Sequence, residues 1–561
     1  MVLGRGHEGQ YVLMARRPKT SFGRFERFPD PERAATIGKR SVPAWGNFHM
    51  PTEDRIMAAT LRMILGLLLL SAACASAAPT LVIDSGAPSR PFPHFWERMF
   101  GSGRAVLALR AAYRRDLRTT KRATGLEYVR FHGILDDDVG VYTLTKNRRA
   151  VYNFSYVDQI YDGLLDAGVK PFIELSFMPN ALAARHLLHT FWYKPNVSPP
   201  KDYARWDALI RAFARHLIDR YGIDEVATWY FEVWNEPNLD FWGGVPKQST
   251  YWRLYDHTAR ALKAVDPRLR VGGPATAQAA WVAAFLAHTT RRHVPVDFVS
   301  SHVYGNDSAK DVFGTRERIP RHRMVCRAVR KVHEEILASA RPALPLIWSE
   351  FNAAYDNDTT VTDSAYMGPW LATTIGQCDG LVDMMSYWTF SDVFEEQGVI
   401  RQPLYGGFGL LAERGIPKPA FNAFRLLHGL GDRRIALASD SAIATRRADG
   451  TLAVAVWNYA PPGRPGPART LTLRFVGVDA ASAKITQIDS LQGDLHSAYA
   501  AMGAPRYPTP AQIDALRRAA ELPAARQVLL RDGVLTVTLP SYALALVEVP
   551  PTSERTRATI Q

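Results

Sequence analysis

Residues 227–236 read ATWYFEVWNE and residues 344–352 read LPLIWSEFN, two apolar β-type runs that each close on a glutamate, Glu236 and Glu350. Immediately before the first lies ARWDALIRAFARHLIDRYG (204–222), whose apolar residues recur at helical spacing. A helix feeding a buried strand is the repeating unit of a parallel sheet. Working outward, six more runs of the same kind follow the pattern: FWERMFGSG (95–103), EYVRFHG (127–133), VKPFIELSF (169–177), LRVGGPA (269–275), VDFVSSHVYG (296–305) and LVDMMSYWTF (381–390). Amphipathic segments such as VDQIYDGLLDAG (157–168) separate them. Eight strand-helix units over residues 92–430 predict an α/β fold, a (β/α)8 TIM barrel.

After Gly431 the texture changes to short strands between turn residues: LAVAVWNY, RTLTLRFVGV and GVLTVTLPSYALALVEV. This predicts a C-terminal β-sandwich over 431–550, interrupted by a helical insertion at AQIDALRRAAEL. The run PTLVID (79–84) is too isolated to be a barrel strand, so residues 79–91 are expected to join the sandwich. Residues 551–561 form a polar tail.

Residues 57–79, MAATLRMILGLLLLSAACASAAP, carry a basic start at Arg62, an apolar core and small residues up to Ala78. That is the pattern of a secretory signal peptide over 57–78, so the mature protein is expected to be exported, periplasmic or secreted. A signal peptide works at the N-terminus, so residues 1–56, rich in Arg, Gly and Pro, read as an untranslated or disordered leader, with translation starting at Met57 or Met50. SAAC at Cys74 resembles a lipobox, but Ser71 stands where Leu is usual. No other stretch approaches the roughly 20 apolar residues of a membrane span.

The chain has 561 residues, 47% hydrophobic and 22% charged, a composition that excludes disorder or fibre for its bulk. Three cysteines are too few and too scattered for a disulfide scaffold or a structural zinc site. At most one disulfide is available, and whether Cys326 and Cys378 pair is left open. The net charge of +14 comes from evenly spread Arg without a nucleic-acid motif, so it reads as a solvated basic surface and no nucleic-acid partner is expected. Asp136, Asp137 and Asp138 lack a spaced ligand loop and read as loop or salt-bridge acids. Nothing in the sequence calls for a metal or a cofactor.

In a TIM barrel the chemistry sits at the C-terminal ends of the strands. Glu236 ends the fourth strand and Glu350 the seventh, expected to face each other across the barrel. With Cα atoms about 13 Å apart and side chains reaching inward about 4 Å each, the carboxyl groups would stand about 5 Å apart, the spacing of a retaining glycosidase. Glu350 is then the nucleophile and Glu236 the acid and later the base. Glu232 also points inward, but four residues along a strand is about 13 Å, too far to react with Glu236. It reads as a buried supporting carboxylate. Asn235 would face outward in a regular strand, and a bulge at the strand end would turn it in.

At these residues the sequence resembles glycoside hydrolase family 39 of the retaining barrel clan, best known for β-xylosidases and α-L-iduronidases. YVRFHGILDDDVGVY, VKPFIELSFMP, WYFEVWNEPNLDFW, SHVYG, SYWTFSDVFEE and GGFGLL resemble the family's blocks in family order. The resemblance implies acid/base Glu236 and nucleophile Glu350. It further implies that His132, Asn235, His302 and Tyr304 bind the glycone, that Trp388 is the sugar-stacking platform, that Glu395 and Glu396 bond distal hydroxyls, and that Phe241 lines the pocket. Trp192 and Tyr193 are candidates for an aglycone wall.

WYFEVWNEPNLDFW resembles the bacterial β-xylosidases more than the iduronidases, whose substrate carboxylate calls for a dedicated cation; Lys194 is the nearest candidate. The expected activity is therefore exo-β-1,4-xylosidase action on xylo-oligosaccharides by double displacement, as part of xylan degradation. The alternatives are a related hydrolase (α-L-iduronidase-like, β-glucosidase or exopolysaccharide endo-hydrolase) and a non-catalytic carbohydrate-binding protein.

Overall fold

The computed structural model describes residues 79–398, 400 and 402–551. The leader, the signal segment with Cys74, and the tail from residue 552 lie outside the described residues. Eight parallel strands close into a barrel: Met99–Gly101, Tyr128–Phe131, Lys170–Glu174, Tyr230–Glu232, Arg270–Thr276, Phe298–His302, Leu346–Phe351 and Met384–Tyr387. Each falls within or one residue beyond its predicted run. The fourth and seventh strands stand three places apart around the ring rather than diametrically opposed.

The helix Tyr203–Tyr221 illustrates why the outer layer forms. Asp202 caps it by accepting from the amides of Ala204 and Arg205, at 2.9 and 3.2 Å. Trp206, Leu209, Ile210, Phe213, Ala214 and Leu217 form one buried stripe. The helix stops at Gly222, whose φ of 78° suits glycine.

Inside the barrel, the period of two along each strand stacks residues in layers. Met99, Tyr128, Phe172, Tyr230, Phe298, Ile347 and Met384, from seven of the eight strands, pack into an apolar floor. The fifth strand contributes Gly272 there, because a Cβ would lie 2.6 Å from ring carbons of Phe298. Two residues further along the second, third, fourth and seventh strands stand Arg130, Glu174, Glu232 and Ser349. This polar layer is the support of the site.

Beside the barrel stand two larger sheets. One has three strands, Thr80–Asp84, Arg469–Val476 and Val534–Leu539, with the first pairing parallel to the second. The other has seven, including Ser89–Pro91, Leu452–Trp457 and Leu544–Val549. Ile83, Leu471, Leu473 and Val537 of the smaller sheet share a hydrophobic cluster with Leu452, Val454, Val456 and Val547 of the larger. The other face of the larger sheet is also covered. Ala453, Ala455, Trp457 and Leu544 belong to the same cluster as the barrel helices Met367–Cys378 and Pro419–His428. Leu452–Trp457 is therefore buried on both sides and reads as a continuous apolar run, whereas Val534–Leu539 alternates buried with exposed. The helix Pro510–Ala519, from the predicted insertion, packs through Ile513 and Leu516 on Ala412 and Ile416.

Cys326 and Cys378 form a disulfide, with Cα atoms 5.1 Å apart, between the helices Arg321–Leu337 and Met367–Cys378. Among the described residues, no helix is long and apolar enough to cross a membrane.

Candidate active site

The strand carrying Glu232 ends there, and its continuation abandons regular geometry. Trp234 and Glu236 have φ of 73° and 40°, a region that non-glycine residues occupy at a cost and that clusters at functional sites. Surrounding bonds hold this turn in place. The indole of Trp234 donates to the carbonyl of Phe241 at 2.7 Å, the Glu236 amide donates to Ala275 at 2.8 Å, and Asn238 accepts from the Ala277 amide at 3.0 Å. The turn breaks the in-out alternation, so consecutive Asn235 and Glu236 both face the barrel interior.

Beneath them Arg130, fully buried, spends its guanidinium on four partners. Nε donates to Glu232 at 2.7 Å, Nη1 to Glu350 at 2.6 Å and Nη2 to Asn235 at 3.0 Å, while Nη2 also forms an ion pair with Glu174 at 2.7 Å. Such a hub satisfies buried carboxylates that would otherwise be costly. Burial works to raise Glu174, but His132 and Arg130 override it and hold that carboxyl below its usual range. For Glu232 burial wins over Arg130, and the pKa is raised. His132 is raised despite its burial, chiefly by Glu174, whose Oε2 lies 2.6 Å from its Nδ1.

An oxygen of Glu236, an oxygen of Glu350 and a ring nitrogen of His302 lie within 4.8 Å of one another. That is the close spacing of a retaining pair and too narrow for the intervening water of an inverting one. Glu350 is oriented by Arg130 on Oε1 and by the Tyr304 hydroxyl, which donates to Oε2 at 2.6 Å. Glu236 has its pKa pushed well above the usual carboxylate range, first by burial and then by the charges of Glu350 and Asp307. The two carboxyls thus differ in the way that acid and nucleophile must.

Above the pair opens a cavity of about 280 Å³. His132, Asn235, Phe241, His302, Tyr304, Trp388 and Glu396 all line it, together with both catalytic candidates. The Trp388 ring packs over Gly101, where a Cβ would overlap it, and lies 4.8 Å from His132 by ring centroids. Glu396 is half-buried with its pKa pushed up to about 8, mainly by desolvation, and its Oε1 has no hydrogen-bond partner within the protein.

Glu395 departs from expectation. It does not line this cavity; its carboxylate pairs with Arg104 at 3.3 Å and Arg110 at 2.6 Å. With a φ of 113° at Glu395, the chain sends the two adjacent carboxylates to opposite sides. Trp192, 61% exposed, lines a neighbouring groove with Glu395, while Tyr193 lies under the Arg104 guanidinium at 4.6 Å. Lys194 is not among the cavity residues. Of the three aspartates, Asp138 pairs with Arg104, Asp137 accepts from the Asn180 amide, and Asp136 is buried with its pKa raised to about 6 by that burial.

Sequence reasoning missed Arg130, Glu174, Ser349, Asp307 and Gln278. For Arg130 a signal existed: it precedes His132 by two in a strand, so whatever turns one inward turns the other.

The chain matches the model of the family "Glycosyl hydrolases family 39" over residues 80–532. It is 38% identical over 479 residues to a β-xylosidase of Geobacillus stearothermophilus, covering 83% of this chain and 94% of that one. A β-xylosidase of Caldicellulosiruptor saccharolyticus is likewise 38% identical, over 76% of this chain and 88% of its own. The crystal structure of a monomeric β-xylosidase from Caulobacter crescentus CB15 superposes with a TM-score of 0.78 at 36% identity, covering 85% of this chain and all of that one.

Proposed function

This chain belongs to glycosyl hydrolase family 39 and hydrolyses O-glycosyl bonds, and from that premise we propose that it is an exo-acting β-xylosidase that releases xylose with retention of configuration. The observation that carries this is the Glu236–Glu350 pair, within 4.8 Å, at the base of a cavity whose lining, among the described residues, contains neither Lys nor Arg. At about 280 Å³ the cavity is smaller than the roughly 300–1,000 Å³ typical of sites for drug-sized molecules, which favours one sugar ring and terminal cleavage. Among the described residues of this lining, an iduronate carboxylate would meet no Lys or Arg.

Glu350 attacks the anomeric carbon as the glycosidic C–O bond breaks and Glu236 passes its proton to the departing oxygen. Esterification removes the charge of Glu350, Glu236 becomes a base, and water delivered through it releases the sugar. Arg130 and Tyr304 fix the attacking carboxylate. Trp388 supplies a flat apolar face for the pyranose, while His132, Asn235 and Glu396 supply polar partners for its hydroxyls.

The mature enzyme is proposed to be exported and to act in xylan breakdown; the signal-like segment and the Cys326–Cys378 disulfide support an oxidising destination. We read residues 92–430 as the catalytic barrel and the two C-terminal sheets as the β-sandwich anticipated from sequence.

The test is hydrolysis of aryl β-xyloside, β-glucoside, α-arabinoside and α-iduronide by the chain beginning at Ala78, alongside Glu350→Ala. Turnover concentrated on the β-xyloside and abolished by the substitution is expected. Preference for another glycoside would replace the xylosidase reading, and sugar binding without turnover of any would point to a binding protein.

A further inference from the structure

Glu236 can expel a leaving group only if it carries a proton, and the groups behind it form a chain with a definite hydrogen-bond direction. Glu236 Oε1 meets Nδ1 of His302 at 3.0 Å. The other ring nitrogen, Nε2, meets the Ser349 hydroxyl at 3.0 Å. That hydroxyl lies 2.6 Å from Oε1 of Glu232, whose Oε2 takes the Nε–H of Arg130 at 2.7 Å. All five side chains are buried.

Arg130 is a donor only, and with the Arg130 Nε–H on Oε2 and the Ser349 hydroxyl on Oε1 Glu232 serves as an acceptor at both oxygens. Ser349 has one proton, and it goes to Glu232. Towards His302 the hydroxyl then has only lone pairs to offer, so Nε2 must be the ring nitrogen that bears hydrogen. A neutral imidazole has one N–H, which leaves Nδ1 bare. A bare Nδ1 forms a hydrogen bond with Glu236 only when Glu236 is protonated.

We propose that Ser349 is a positioning residue that fixes the tautomer of His302 and thereby holds the resting proton on Glu236. The proposal rests on the reading of Glu236 as the acid. His302 stays neutral, because burial and the charges of Arg130 and His132 push its pKa well below the ordinary value. The charged groups facing Glu236 from other elements are Glu350, Asp307, Arg130 and Glu396. The clamp acts in addition to them and serves both half-reactions. Once Glu236 has given up its proton, its anion faces the Nδ1 lone pair, and that repulsion strengthens it as the base that draws a proton from water.

Removing the hydroxyl frees His302 to flip tautomer and donate from Nδ1 to Glu236, which favours the carboxylate. In Ser349→Ala the basic limb of kcat/KM on an aryl β-xyloside is therefore expected about one to two pH units lower, the worth of one hydrogen bond to a charged group. Ser349→Thr, which keeps a hydroxyl, restores the limb. An unmoved limb in folded Ser349→Ala overturns the proposal. The tautomer itself is read on the unsubstituted protein from long-range ¹H–¹⁵N correlations of labelled histidine, with His302→Gln for assignment. Hydrogen on Nε2 is expected and hydrogen on Nδ1 overturns the proposal, whatever the folding of the variants. Glu236→Ala separates the two levels: if the basic limb survives that substitution, the acid assignment itself fails, independently of Ser349.

Discussion

The hydroxyl of Tyr304 donates to Oε2 of Glu350 at 2.6 Å, on the side of the carboxylate opposite Arg130. The proposed nucleophile is thereby fixed between a neutral donor and a cation. A hydrogen bond to a charged group is worth about 1.5–3 kcal/mol. Tyr304→Phe is expected to lower kcat/KM about 10- to 150-fold on the same scale, with the melting temperature nearly unchanged; steady-state kinetics beside a thermal melt check both.

As the proposed acid Glu236 acts in its protonated form, and its pKa is raised well above the ordinary carboxylate value by burial and by Glu350. Activity is therefore expected to fall as pH rises through that displaced pKa, giving a basic limb well above the usual Glu range. Glu236→Ala should erase the limb and cost about 10²–10⁴ in rate. Azide should then rescue turnover of an activated aryl xyloside, and the isolated product should be the β-glycosyl azide of a retaining pathway.

Arg130 neutralises Glu174, Glu232 and Glu350 from one buried position. Arg130→Leu leaves those carboxylates without their shared cation, and breaking a buried pair costs about 3–5 kcal/mol. A loss of that size in denaturant unfolding is expected, together with loss of activity. Arg130→Lys keeps the charge but not the fork, so it should recover stability more than rate.

Buried Glu97 accepts from His428 at 2.8 Å and from His94 at 2.8 Å, tying the start of the barrel to the helix Pro419–His428. The hydrogen bond to Glu97 raises His428 above 6.5, and although burial works to raise Glu97, the two histidines bring it below 4.5. The histidine contribution is complete below pH 6.5 and fades as pH rises through the raised value; the carboxylate contribution is complete above pH 4.5 and fades below. The melting-temperature difference between the parent and His428→Ala should therefore peak between pH 4.5 and 6.5 and shrink in alkaline buffer.

The Cys326–Cys378 bridge spans 52 residues, and chain entropy assigns a loop of that size a ceiling of about 4 kcal/mol. Both cysteines are buried. Reduction is expected only after partial unfolding, and Cys326→Ser should melt several degrees lower than the oxidised parent, while the parent treated with reductant after unfolding should match the variant.

Much of this molecule is legible without coordinates. The period-2 runs and intervening helical stripes specify a barrel because each obeys a local rule, namely that a strand shows one residue in two to each face and a helix one stripe. Glu236 and Glu350 are legible for the same reason, since each closes a strand at the end where barrel sites form. The adjacent pair Glu395 and Glu396 shows the limit. In sequence they are equivalent; in space one enters the cavity and the other is taken by Arg104 and Arg110, residues nearly 300 positions earlier. Leu452–Trp457 is similar: its run is plainly a strand, but only the helices packed on its far side explain why no residue in it is polar.

By itself, then, the sequence determined the barrel, the order of its elements and the two strand-ending carboxylates proposed as the reacting pair, because those depend on patterns within ten or twenty residues. Only the tertiary structure decided that Arg130 holds three carboxylates at once, that Cys326 meets Cys378, and that Glu232, Ser349, His302 and Glu236 form one directed chain. Those relationships join residues from different strands and helices. Their distances are set by how the barrel closes, a property of the packed whole that no local pattern encodes.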